Sequence, residues 1–497
     1  MAAFTLETFE PQAEAFLRAR NWREWQFQAG LRPGRGLVSL YDEDFPDFSS
    51  TDLYLDLQDA QAEDARRKQR LVALLARAEL EARTREHAVR VTRFECGGRI
   101  TFENSELPWR EAPARWGLLA DVPRRHALEA AWREAARAEL TPALERWQAA
   151  LTATLATLDS TSDWPSFWDR ELDTDASQTD RIAQSLLSAS EDVYPHVMAV
   201  YLAQLELPLD DVWPSDADWA VRATRFDPSF PERSRMPAVI RSFRELGIEI
   251  EEQPELRLDD GPVLGVQCLP LDVPGDVHVL QRLVGGHLDY RHTLRGIGEA
   301  QHWLQTDRSL TAADRWLGDP ATTVGYGLLF AHLLQEPIWL ADRLELIALE
   351  DLRLVQHIDW LRRLRGLAAQ HQFERQLWSA EPGASLATAY EEGLTAATRV
   401  RHFPETYVLG LLHAPWSSVD VQVQLRAEVF AAQLRAHLRR EFDEEWFRSP
   451  RAGRFLVQEL WRPGRRHSSE ELLGFMGYEG FDANVVWRDI AEVLSPL

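Results

Sequence analysis

Apolar residues recur at three- and four-residue intervals over most of the chain, the period of a helix with one buried face. The run "AQAEDARRKQRLVALLARAELEARTREHAVRV" (60–91) keeps this period without a Gly or Pro. "VPRRHALEAAWREAARAELTPALERWQAALTATLATL" (122–158) does the same, with Pro142 expected to kink it. Between them "ECGGRITFENSELPW" (95–109) sets a Gly-Gly turn beside a short β-like run and predicts a small hairpin. The Trp-rich stretches "DSTSDWPSFWDREL" and "PSDADWAV" read as loops, with Asp and Ser placed to cap the helices that follow.

The texture changes near residue 255. "LRLDDGPVLGVQCLPLDVPGDVHVLQRLVGGHLDY" (256–290) is rich in Val, Leu, Gly and Pro, and predicts two or three strands leading into a helix at about 288–306. Helical periodicity then resumes to about residue 445. The tail "HSSEELLGFMGYEGFDANVVWRDIAEVL" predicts two short helices around a Gly-bounded loop. No tandem repeat or flexible linker divides the chain. The expectation is therefore one mainly α unit over 1–497, with a mostly helical part at 1–250 and a second part at 251–497 holding the small sheet.

Charge narrows the partners. A net charge of −24 over 497 residues disfavours nucleic acid, whose phosphates need a basic surface, and anionic lipid as well. Cys96 and Cys268 are the only cysteines, which leaves no thiolate metal motif and no disulfide framework. The first residues lack a secretory pattern and no window is apolar enough to span a membrane, so a cytoplasmic location is expected. Lys68 is the sole lysine among many arginines and alanines, the codon bias of a GC-rich and, by expectation, bacterial genome.

Chemistry concentrates in "DYRHTLRGIGEAQHW" (289–303). At helical spacing His292, Arg295, Glu299 and His302 fall within about 80° of one another. A zinc site needs about three N or O donors converging on one ion, and Glu299 with His302 could supply two. Arg295 stands between His292 and Glu299 as a permanent cation. The plainer alternative is an i,i+4 ion pair of Arg295 with Glu299, flanked by histidines. "GIGEAQ" is no dinucleotide loop, and neither a phosphate-binding P-loop nor a G-x-S-x-G elbow occurs.

The longer run "VPGDVHVLQRLVGGHLDYRHTLRGIGEAQHW" resembles the active-site segment of zinc oligopeptidases of the thimet oligopeptidase and oligoendopeptidase F kind. "ATTVGYGLLFAHLLQEPIWL" resembles their downstream segment, and "EEWFRSPRAGRFLVQELWRPGRRHSSEELLGFMGYEGFD" their closing helices, so the likeness spans 256–482. The resemblance implies a zincin-like fold of two helical lobes around a long cleft. It also implies what has been lost. With Gly298, Ala300 and His302 aligned, Arg295 stands at the first zinc-binding His, Gly296 at the catalytic Glu, Glu299 at the second His and Val324 at the third ligand. The window "APWSSVDVQVQLRAEVF" (414–430), where the family's late tyrosines belong, contains none.

Metal-assisted hydrolysis needs a Lewis acid and a carboxylate base, and these positions supply neither. The resemblance therefore implies a catalytically inactive metallopeptidase homologue with no metal and no cofactor. It is expected to hold a peptide or protein partner in the inherited cleft, or to regulate an active paralogue. His292, His302 and Tyr326 are the candidate binding residues, and an edge strand within "LGVQCLPLDV" could pair with an extended peptide. Two alternatives stand beside this reading: an enzyme with relocated chemistry at His292, Glu299 and His302, and a structural protein whose cleft is filled by bulky residues such as Trp303.

Overall fold

The computed structural model describes residues 5–158, 163–207, 211–262, 265–347, 350–380, 382–412 and 420–494. Helices carry the framework: Leu6–Gln28 (α1), Ala65–Gly97 (α2), Val122–Ala135 (α3), Thr141–Leu158 (α4), His287–Gln305 (α5), Pro320–Ala331 (α6), Glu350–Leu377 (α7) and Asp420–Phe442 (α8). Their starts follow from local chemistry. The Asp64 carboxylate accepts from Arg67 N at 2.9 Å to open α2, and Asp121 accepts from Arg124 N at 2.9 Å to open α3. The break expected at Pro142 takes the form of a π-helical turn, Ala136–Leu140, which widens the helix just before the residue that lacks an N–H.

Two local expectations need correction. The hairpin exists, as strands Arg99–Phe102 (β1) and Ser105–Pro108 (β2), but its turn is Glu103–Asn104, both at positive φ. Gly97 and Gly98 end α2 instead. The Trp-rich stretches, read as loops, form short helices at Trp164–Leu172 and Pro214–Arg222. Their Asp and Pro residues are caps and first-turn residues, and Asp163 accepts from Ser166 N at 2.9 Å. Burial of Trp164 against Trp168 and Trp378 overrides the loop-like composition. Residues 159–162 lie outside the described part.

The second sheet lies where the Val- and Gly-rich texture predicts it. Leu256–Asp260 (β3), Gly265–Asp272 (β4) and Asp276–Arg282 (β5) pair in the order β3-β5-β4, with β3 parallel and β4 antiparallel to β5. Central β5 buries Val277 and Val279, while β4 keeps one edge unpaired. One apolar core takes Leu74 and Trp147 from the first half of the chain and Val277, Ala300, Leu328 and Ala427 from the second. No helix of the described residues is long and apolar enough to cross a membrane.

Candidate functional site

The helix that carries the motif is fixed at its start by its own sequence. Asp289 accepts from Val284 N at 2.8 Å and Gly285 N at 2.9 Å, tying the glycine turn to the first turn of α5. A side chain at Gly286 would collide with Asp227, which Arg222 holds at 2.6 Å. Further along, the glycines let neighbours approach. A Cβ on Gly296 would sit 2.4 Å from Val279 Cγ1 and 2.7 Å from Val266 Cγ2, so the sheet rests on the helix backbone there. A Cβ on Gly298 would meet the Phe330 ring at 2.8 Å, and one on Gly327 would meet Glu299 Cγ at 2.5 Å. The α5 and α6 backbones therefore close on each other at these two positions.

Of the four-residue stripe, the structure brings two members together. Arg295 Nε donates to Glu299 Oε1 at 2.9 Å, and Arg295 Nη2 donates to Gln424 Oε1 of α8 at 3.3 Å. Both side chains are mostly buried, at 21% and 12% exposure. Burial raises the Glu299 carboxyl, and the Arg295 charge only partly offsets it.

The histidines do not join this pair. His302 is fully buried; its Nε2 donates to the Gly464 carbonyl at 3.1 Å and its Nδ1 faces Thr323 Oγ1 at 2.9 Å. Arg465 Nε donates to the same Thr323 oxygen at 3.0 Å, so the hydroxyl proton points to His302, which burial keeps neutral with a pKa pushed down to about 3. Tyr326 is also fully buried and donates to Leu460 O at 3.3 Å. Expected as cleft residues, His302 and Tyr326 instead pack behind the helix, since the helical wheel gives a direction but not a depth. His292 is half-buried, its Nδ1 unpartnered, and burial together with Arg291 and Arg295 lowers it to about 3.

A cleft does run beside the pair, as three linked cavities. The first, about 370 Å³, is lined by Cys268, Leu269 and Pro270 of β4, by Trp303, Val324 and by Gln424. The second, about 420 Å³, shares Gln424 and adds Arg362, Arg363 and His402. The third, about 500 Å³, shares His402 and Tyr390 with the second and Asp420 with the first. Trp303 walls the cleft without filling it, and Arg465 lies over its ring at 4.3 Å. Burial, with the Glu299 charge adding to it, pushes the Cys268 thiol well up, so it is no ready thiolate. Gln424, Asp420 and Arg465 were not legible as site residues: each reaches the cleft from a distant segment. The early part of the tyrosine window, 414–419, lies outside the described residues.

No protein-family profile matches the chain, and no curated protein matches it by sequence. Solved structures do match over nearly its whole length. BsuCP aligns with a TM-score of 0.64 at 14% identity, covering 98% of each chain. The M32 carboxypeptidase from Deinococcus radiodurans R1 gives 0.61 at 14% identity, again over 98% of each chain. The Pyrococcus furiosus carboxypeptidase, in its Apo-Mg structure, gives 0.60 at 15% identity over 99% of this chain and 100% of that one. The chain therefore shares the mainly α fold of these structures over nearly its whole length.

A zinc ion in such a fold needs converging N or O donors at about 2.0–2.2 Å. The residues matched to the ligand positions do not fit one. Arg295 offers only N–H donors, Val324 offers no donor atom, Glu299 is bound to Arg295, and His302 turns both ring nitrogens elsewhere. Among the described residues no group of three or more His, Cys, Asp or Glu side chains is arranged to hold a metal ion.

Proposed function

We propose that this chain is a catalytically inactive relative of zinc metallopeptidases that uses its cleft to hold a peptide. The observation that carries the reading is the Arg295–Glu299 pair, held by Gln424, at two positions where the resemblance calls for metal ligands. Val266 and Val279 support it, because they occupy the space that a side chain at Gly296 would need. The oligoendopeptidase F-like motifs give the ancestry its finer form. The carboxypeptidase names of the similar structures favour a chain end as the part held. A protein partner, an active paralogue included, would enter the same cleft through such a segment.

Geometry supports binding in two ways. The cavities share lining residues along one groove, and β4 presents an edge to the first of them that, among the described residues, pairs with no strand and is bonded by Asn21 Nδ2, to Pro270 O at 2.9 Å. An extended peptide can add to such an edge through main-chain hydrogen bonds. The reading is favoured over relocated chemistry at His292, Glu299 and His302 because no such group is arranged to hold a metal among the described residues.

Protein purified without chelator is expected to carry far less than one zinc per chain by elemental analysis. It should leave quenched fluorescent peptides uncut, with or without added zinc or cobalt. Stoichiometric zinc lost on Glu299→Gln, or chelator-sensitive cleavage by the purified chain, would overturn the reading.

A further inference from the structure

The roomiest of the three cavities, about 500 Å³, contains two carboxyls that nothing in the metallopeptidase likeness uses. Its walls are largely apolar and aromatic: Trp116, Trp132, Tyr390, Phe403, Leu409 and Leu412. Glu374 enters from α7 and Asp420 from the first turn of α8. Glu374 is only 9% exposed, and Gln370 Nε2 donates to its Oε1 at 3.1 Å. Its Oε2 has no hydrogen-bond donor among the described residues. Asp420 lines the cavity with an exposed side chain, and has no ion pair or hydrogen bond among the described residues.

The other charged groups at this cavity are already neutralised. Arg133 of α3 pairs with Glu405, lies 3.8 Å from Glu129, and stacks over the Phe403 ring at 3.4 Å. Glu129 accepts from Ser215 N at 2.9 Å. His402 sits 3.2 Å from Thr398 Oγ1, and burial keeps it neutral with a pKa of about 4. Arg295 of α5, the cation whose field reaches Asp420, is engaged by Glu299 and Gln424. Two carboxyls thus share an aromatic-walled cavity of ligand size with no cation of their own among the described residues. An enclosed carboxylate lacking a partner is unfavourable, and a cation entering the cavity from outside would relieve that penalty.

We propose that this compartment binds an organic cation, an ammonium or guanidinium on an aliphatic stem, paired to Glu374 and Asp420 with its stem against Tyr390 and Phe403. The inference rests on the reading of the cleft as a peptide groove, in which the cation is a lysine or arginine side chain; a free alkylamine presents the same chemistry. Aromatic faces add cation–π attraction to the ion pairs. Without ligand Glu374 holds its proton near neutrality, because burial raises it to about 8, with the Asp420 charge contributing. Cation binding favours its ionised form, so it releases a proton, and affinity rises with pH up to about 8.

Isothermal titration calorimetry on the full chain tests this with peptides that differ only in one residue, lysine against norleucine, and with butylamine alone. The lysine peptide is expected to bind about tenfold tighter, with a heat that depends on buffer ionisation, and the preference should largely vanish in Glu374→Gln and in Asp420→Asn. Glu374→Gln replaces a carboxyl that burial disfavours when ionised, so the variant should fold at least as well as the parent; Asp420→Asn is the independent second variant. Equal binding of the two peptides, or an unchanged preference in both variants, overturns the cation site and leaves the peptide groove standing. Butylamine binding as tightly as the lysine peptide keeps the cation site and removes the peptide reading. Absence of binding by every probe overturns both.

Discussion

Placing a glutamate at position 296 is expected to destabilise the protein by about 3 kcal/mol or more, read as a shift in denaturant midpoint. The estimate weighs three effects. A glycine within a helix costs about 1 kcal/mol relative to alanine, so any side chain gains that much in propensity. Against this, the Cβ alone would lie 2.4 Å from Val279 Cγ1 and 2.7 Å from Val266 Cγ2, and overpacking of this kind costs about 1–3 kcal/mol. For Gly296→Ala the two roughly cancel. A glutamate adds a carboxylate pressed under a three-stranded sheet with no cation assigned to it, and the clash and the charge together win. Adding Arg295→His, Glu299→His and Val324→Glu around it is therefore expected to give no peptidase, because the sheet occupies the space a side chain at 296 would need. A Gly296→Glu variant within about 0.5 kcal/mol of the parent would show that the sheet yields at this position.

Much of this arrangement is written in local sequence, and the rest in contacts that local sequence does not record. The sheet and its following helix are legible because Val, Leu and Gly replace the three-and-four spacing at one place, and the structure puts β3–β5 and α5 there. The Arg295–Glu299 pair is legible because i,i+4 spacing puts both on one face. Gln424 is not, since it joins Arg295 across 129 residues of chain. His302 misleads for a related reason: it sits a short rotation from Glu299, enough to turn its ring to Thr323 and to Gly464, 162 residues on. Tryptophan-rich segments mislead in the opposite sense, because Asp163 and Pro165 look like a loop until burial of the rings makes them the start of a helix. Glu374 and Asp420 carry no local signal at all. Each is an ordinary acid of a helix, and only the packing of α3, α7 and α8 encloses them together.

The second large expectation concerns the ion pair itself. Arg295→Met should cost about 2–4 kcal/mol at neutral pH, Glu299→Gln much less, and the double variant less than Arg295→Met alone. The asymmetry follows from which group burial penalises. Glu299 is the more enclosed of the two, at 12% exposure against 21%, and its carboxyl is raised even with the arginine in place. Removing Arg295 leaves that carboxylate without its cation; removing the carboxylate leaves Arg295 still bound to Gln424 and within the field of Asp420. The sign of the pH dependence follows. A carboxyl whose folded pKa lies above its unfolded value stabilises the fold below the unfolded pKa, and that contribution is lost as pH rises through the folded one. The parent should thus lose some stability as pH rises through the range bounded by those two values, and Glu299→Gln should flatten that slope. In Arg295→Met the carboxyl rises further, so the penalty should be largest at neutral pH and shrink in acid as Glu299 takes up a proton. An exposed pair would show coupling of only about 0–1 kcal/mol and a penalty indifferent to pH. Coupling above about 1 kcal/mol that fades in acid would mark the pair as a buried structural element beside the cleft. Coupling near zero at every pH would mean that the two side chains hold their places independently.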